Sequence, residues 1–381
     1  VLMNYSLKLF DDKKVFWFEP KNQYLLLEDL SSVLLEKYIN GISFESFIVF
    51  CESEFNLSEQ ESCSLFENCK EIIEHINALP NASDQLETQQ TPNIELEEGS
   101  SIFYHWNAKR IQVIYQSEQL KNSIHPKFKH LQIDSVSDFS NASTFHVFRD
   151  NNYINLYVNH AYCGSWLFDN LHLFQGKFSM KFLTSLTGKK DNDWLATLHA
   201  SAVYKQDSSL VMLGKSGQGK STATTLLMAH GYKLLADDFV PIERQSKKAF
   251  PFPQAISVKE SHVADLSIYF PKLLNESIRQ KNEEIQYRYL YPEINKSQVQ
   301  KSKKCKAFIF IQYNVSSVTN LIKLKKSEAL ELLIPDSWIS PKKENSMEFL
   351  DLILETPCYT LEYSENESML RIVDQLMANE L

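Results

Sequence analysis

Residues 214 to 221 read GKSGQGKS, between the apolar run SLVML and the helix-favouring TATTLLMAHG. No other stretch constrains the fold as much, because this spacing needs a strand to deliver the loop and a helix to leave it. Loop N–H groups and the positive end of that helix then converge on one anion. The chain holds only nine glycines in 381 residues, and four of them (Gly214, Gly217, Gly219 and Gly231) fall between positions 214 and 231. Gly214, Ser216, Gly217, Gln218, Gly219, Lys220, Ser221 and Thr222 are therefore read as a phosphate cradle. In it Lys220 spans the outer phosphates and the Ser221 hydroxyl reaches a magnesium ion. Mg-ATP is the expected ligand.

Acids and a histidine flank this loop in sequence. LLADDFVPI places Asp237 and Asp238 at the end of what reads as the neighbouring strand, where an acid beside a phosphate loop serves the metal or the nucleophile. Adjacent residues on a strand face opposite ways, so one acid can serve the metal while the other receives a proton. His199, in LHASAV, reaches the phosphate end only if its strand and the loop's own strand form a hairpin; there it could hold a phosphate or Asp238. Lys259, ending FPFPQAISVKE, and Arg288, in IQYRYLYPE, either approach phosphates or stand in solvent. The cluster KSQVQKSKKCK, 296–306, reads as a solvated loop or a docking site.

Periodicity divides the chain into three parts. VFWFEP and QYLLLEDL suit two strands, and LSSVLLEKYING, SFESFIVFCESEF and NLSEQESCSLFENCKEIIEHINAL suit three helices, the last opening on a Ser58/Glu61 capping box. Residues 1–80 thus form a small winged-helix-like α+β module. PNASDQLETQQTPNIELEEGS reads as an acidic linker, 81–100. From 101 to 381, aromatic-rich strands predict a mostly antiparallel lead-in, followed by a βαβ pattern around the phosphate loop and a closing α/β set.

The net charge of −9 is uneven: residues 1–100 carry 19 acids against 6 bases, leaving the remainder slightly positive. That acidity disfavours nucleic acid as a partner of the first quarter and suits a basic peptide. The six cysteines form no CxxC pair, and no apolar run approaches bilayer length; a cytoplasmic protein with reduced thiols is expected, with no membrane partner.

Taken together, LHASAV, GKSGQGKS and YKLLADDFVPI resemble the HPr kinase/phosphorylase family, bacterial P-loop kinases that phosphorylate a serine of a protein substrate. The resemblance implies an α/β P-loop kinase domain of HPr-kinase type with ATP and Mg2+ as cofactors. It makes Asp238 the general base, His199 its active-site partner, Lys220 a catalytic lysine, and Ser221 and Asp237 the magnesium ligands. The family's glycine-rich signature segment with its glutamate has no counterpart here, nor has its arginine-bearing loop, so the reverse phosphorylase activity is not implied. FPFPQAISVKE looks instead like the shorter HPr-kinase-related proteins of ribosomal-peptide modification clusters. The order of strands and helices in 1–80 is similar to the PqqD-like peptide-recognition module, which takes a leader peptide as an added strand. In that reading QYLLLE and the face of 58–79 form the leader groove.

The expected activity is ATP-dependent phosphorylation of a hydroxyl residue, a serine by family resemblance, on a ribosomally made precursor peptide or small protein held by residues 1–80. A nucleotide switch without transfer, a small-molecule kinase and a phosphoenolpyruvate carboxykinase-like enzyme stay open as alternatives. A homo-oligomer, which the resemblance would suggest, also stays open.

Overall fold

A computed structural model describes residues 4–82, 99–106, 108–134, 142–215, 217–280, 285–293 and 301–380. Ser216, most of the linker 81–100 and part of the basic stretch 296–306 lie outside the described residues. The chain forms two compact units. One comprises Val1–Thr88, Lys325–Pro335 and Ile339–Glu355; the other comprises Gln89–Leu324, Asp336–Trp338 and Thr356–Leu381. The first unit thus takes in two stretches that the division at 101–381 assigned to the second.

In the first unit, β1 (Tyr5–Phe10), β2 (Lys13–Phe18) and β3 (Gln23–Glu28) form an antiparallel sheet in the order β1-β2-β3, so three strands stand where two were expected. Helices α1 (Asp29–Ile39), α2 (Phe44–Phe55) and α3 (Glu59–Ala78) follow. Ser58 and Glu61 cap α3 reciprocally, with Ser58 N–H donating to Glu61 Oε2 at 2.8 Å and Glu61 N–H to Ser58 Oγ at 3.3 Å.

Alternation along β2 explains the extra stretches. Phe16 and Phe18 enter a core with Leu34, Leu35, Phe47 and Cys51 of the helices, while Val15 and Trp17 must face the other way and are equally buried, at 0% exposure. A strand buried on both faces needs a second cover. It comes from the helices Lys326–Leu333 and Lys343–Glu355. Lys8 donates to Met347 O at 3.4 Å and pairs with Asp351, Lys13 pairs with Glu331 at 2.9 Å, and Asp11 Oδ2 accepts the N–H groups of Lys326 (2.5 Å) and Ser327 (3.2 Å), capping the first of these helices.

The second unit opens with β4 (Ser100–Trp106), β5 (Lys109–Tyr115), α4 (Glu118–Phe128), β6 (Gln132–Ile133), β7 (Ser143–Asp150), β8 (Tyr153–Val158) and β9 (Ala161–Leu167). Their sheet runs β6-β4-β5-β7-β8-β9 and is antiparallel except where β5 meets β7, close to the expected lead-in. Helix α5 (Leu171–Thr187) lies against it: Phe174 meets Trp166 of β9, while Phe178 and Phe182 meet Phe145 of β7 and Phe128 of α4.

There follow β10 (Trp194–Leu198), β11 (Ser201–Lys205), β12 (Ser208–Leu213), α6 (Lys220–Ala229), β13 (Lys233–Ala236), β14 (Val240–Glu243), β15 (Ile256–Lys259), α7 (Val263–Ser267), β16 (Arg279–Gln280), β17 (Gln286–Leu290), β18 (Lys304–Tyr313) and β19 (Asn320–Lys323). The two helices already met are α8 and α9, with β20 (Ser337–Ile339) between them and β21 (Cys358–Tyr363) and α10 (Asn366–Ala378) after them. The main sheet runs β13-β11-β12-β18-β21-β19. The strand bearing the acid pair is therefore not the neighbour of β12: β11 lies between, antiparallel to both. Two antiparallel steps restore the direction, so β12 and β13 still end on the same edge. Their apolar residues share one core with Ala223, Leu226 and Leu227 of α6 and Met369, Leu370 and Val373 of α10.

Candidate functional site

The loop 214–219 leaves β12, whose last five residues are all buried, and enters α6 at Lys220. Its glycines adopt conformations that side chains resist, with φ of 138° at Gly214, 90° at Gly217 and 95° at Gly219. Space is as restrictive as torsion: a methyl group built on Gly214 would lie 2.7 Å from Ile311 O, and one on Gly219 would lie 3.2 Å from Tyr363 Oη. Gln218 ties the loop together, its Oε1 accepting Lys215 N–H at 2.6 Å and its carbonyl accepting Tyr313 N–H at 3.2 Å. Lys220, 9% exposed, folds its ammonium onto Gly214 O and, at 3.5 Å, Lys215 O. Burial lowers its pKa, with the charges of Asp238, Asp237 and Asp336 opposing. The Ser221 hydroxyl donates to no group among the described residues, while Thr224 and Thr225 spend theirs on helix carbonyls.

The hairpin that brings His199 to this edge is β11 with β12, in which Ser201 faces Met212. His199 sits just before β11, its N–H donating to Asp336 O at 3.1 Å and its Nδ1 lying 3.0 Å from Asp238 Oδ1. The two acids part company just beyond β13. Asp237, 2% exposed, accepts a hydrogen bond from Ser201 Oγ. Burial, then the charge of Asp238 beside it, pushes its pKa up to about 6. A divalent cation nearby would reverse that and keep it ionised.

Asp238 turns outward with 46% of its side chain exposed, in a left-handed conformation (φ 63°) that a non-glycine residue adopts at a cost. The crowding around it opposes ionisation, but the His199 hydrogen bond and the charges of Lys127, His199 and Lys220 outweigh this and hold its carboxyl well below the usual range. Its partner shifts the other way: the hydrogen bond to Asp238 raises the His199 pKa against burial.

The pair therefore stabilises the fold in a defined pH window. Below about pH 6.5, the ordinary value for histidine, the His199 contribution is complete, and it is lost as pH rises through the raised native value. In an NMR titration His199 should titrate above 6.5, and in Asp238→Asn its midpoint should fall below that, since burial and the charge of Lys220 then act without the opposing carboxylate. An unchanged midpoint would contradict the pairing.

Lys127, near the end of α4, is a member of the site that the sequence reading missed. Its Nζ lies 3.9 Å from Asp238 Oδ2 and 3.5 Å from Gln175 Oε1, and its carbonyl accepts Ala255 N–H at 2.9 Å. Nothing in its local sequence, IHPKF, signals this, because the contact depends on how the lead-in layer meets the phosphate-loop layer. Arg288 proves structural: its guanidinium forks onto both oxygens of Glu260, at 2.9 and 2.7 Å.

Among the described residues, no group of three or more His, Cys, Asp or Glu side chains could hold a metal alone. The donors at the loop are a serine hydroxyl and carboxylates, a hard-oxygen set that suits magnesium completing its shell with phosphate oxygens and water. The glycine cradle and the unspent Ser221 hydroxyl fit a nucleotide's phosphates.

No protein-family model and no curated protein matches the chain. Among solved structures it is similar to the HPr(Ser) kinase/phosphatase from Coxiella burnetii, with 9% identity over 48% of this chain and 89% of that one and a TM-score of 0.23. Among the described residues no helix is long and apolar enough to cross a membrane.

Proposed function

We propose that the chain is an ATP-dependent kinase that phosphorylates a hydroxyl residue, a serine, of a ribosomally made precursor peptide or small protein. One observation carries this reading: a glycine phosphate loop with Lys220 and Ser221 at a helix N-terminus shares its sheet edge with an ionised, outward-facing Asp238 held by His199 and Lys127. A binding switch needs the loop but not that acid. Bound Mg-ATP supplies the transferable phosphoryl group, with Ser221 and Asp237 as its magnesium-side ligands. Lys220 leaves its carbonyl partners for the phosphate oxygens and, with the N–H groups of the loop and of α6, meets the charge that develops on them. Asp238 accepts the proton of the attacking hydroxyl. His199, Lys127 and Lys220 keep it ionised for that task.

The first unit supports the choice of a peptide. In its sheet β3 is a terminal strand, the arrangement that strand addition requires. Its Leu25 and Leu27 pack only in part, against the core that α3 shares. A small metabolite would need no such edge.

Intact-mass spectrometry of precursor peptides encoded beside the gene, incubated with the full chain and Mg-ATP, tests the reading. The expected result is the mass of one added phosphate, together with slowed hydrogen exchange along β3 in the presence of the same peptide. ATP binding without mass gain on any peptide would leave the switch as the better account.

A further inference from the structure

Lys259 closes β15 with its ammonium over the phosphate loop: a methyl group built on Gly217 would lie 3.8 Å from Lys259 Nζ. The placement is built from below. Ile256 and Val258 of β15 are buried in one core with Ala223, Leu226 and Leu227 of α6, which fixes the strand to the helix that follows the loop. Strand alternation then sends Lys259 to the exposed side. Its successor Glu260 is gripped by the Arg288 fork, and the same guanidinium donates to Leu274 O at 2.5 Å and Glu276 O at 3.1 Å. The backbone at Lys259 is thus pinned while its tip is left free. Among the described residues no carboxylate pairs with it, although Arg288 beside it on the paired strand takes up an acid in full.

A lysine fixed at its base and unpaired at its tip, above a glycine loop that leads into a helix N-terminus, has the properties of a phosphate ligand. Lys220 reaches carbonyls at the start of the loop, whereas Lys259 stands over its middle. The two cations therefore address different parts of the phosphate chain. Resting on the reading of 214–222 as a nucleotide site, we propose that Lys259 contacts the terminal phosphate of the bound triphosphate and so lets the site distinguish ATP from ADP. The loop and α6 meet the inner phosphates and Lys220 spans the outer two from the start of the loop, and Lys259 adds a second cation for the charge that ATP has and ADP lacks.

The test is titration of the full chain and of Lys259→Met with Mg-ATP and Mg-ADP. The variant should bind ATP about tenfold or more weakly and ADP within about twofold of the wild type, as expected for one charge-assisted contact. The ATP-to-ADP ratio is the quantity to read, because any loss of folded protein cancels from it. An unchanged ratio, whether both ligands bind normally or both bind equally weakly, overturns the assignment. A wild type that binds neither nucleotide is a different result, since it overturns the nucleotide site itself.

Discussion

Asp238→Asn is expected to cut phosphoryl transfer by about a thousandfold while ATP binds as tightly as before or more so. Three cations, His199, Lys127 and Lys220, are drawn to this carboxylate. Removing its charge leaves Lys127 and Lys220 unbalanced beside the loop, which favours an incoming polyphosphate. It also removes the outward-facing carboxylate that His199 and Lys127 hold at this edge, a role Asp237 cannot take over because it is buried against Ser201. Phosphopeptide formation under saturating ATP, read beside a nucleotide titration, separates the two effects. Transfer at the wild-type rate would remove Asp238 from the chemistry, and loss of ATP binding would make its role structural.

The second large effect lies in the first unit. Trp17→Ala should destabilise that unit by about 3–5 kcal/mol, the usual cost of truncating a fully buried aromatic. Trp17 is 0% exposed, and its indole N–H donates to Asn22 Oδ1 at 2.8 Å, whose amide in turn donates to Ile339 O at 2.8 Å. Leu9→Ala, at a position 61% exposed on the preceding strand, should change stability by less than about 0.5 kcal/mol. Urea unfolding followed by circular dichroism compares them. Equal effects would mean that the second face of β2 carries no packing of consequence.

The phosphate loop was legible because its chemistry is local: spacing, glycines, preceding strand and following helix all lie within one window. The capping box of α3 was readable for the same reason. Strand order was not. That β11 separates β12 from β13 depends on pairings between segments whose local patterns are equally strand-like. Lys127 was invisible because its partners, Asp238 and Ala255, come from distant segments. One signal was present and unread: VFWF is a continuous apolar run, unlike the alternation of a half-exposed strand, and it announced that the small sheet is covered on both faces.

That second cover also sets a clock. Asp11 caps a helix that begins 315 residues later in the chain. At an elongation rate of about 5–20 residues per second, the hairpin therefore leaves the ribosome on the order of tens of seconds before its partner exists. Throughout that interval Val15 and Trp17 present an apolar surface to solvent or to a chaperone. The first unit reaches its complete form only after the phosphate loop has been made, so a chain that stops short of Glu355 cannot present a finished first unit.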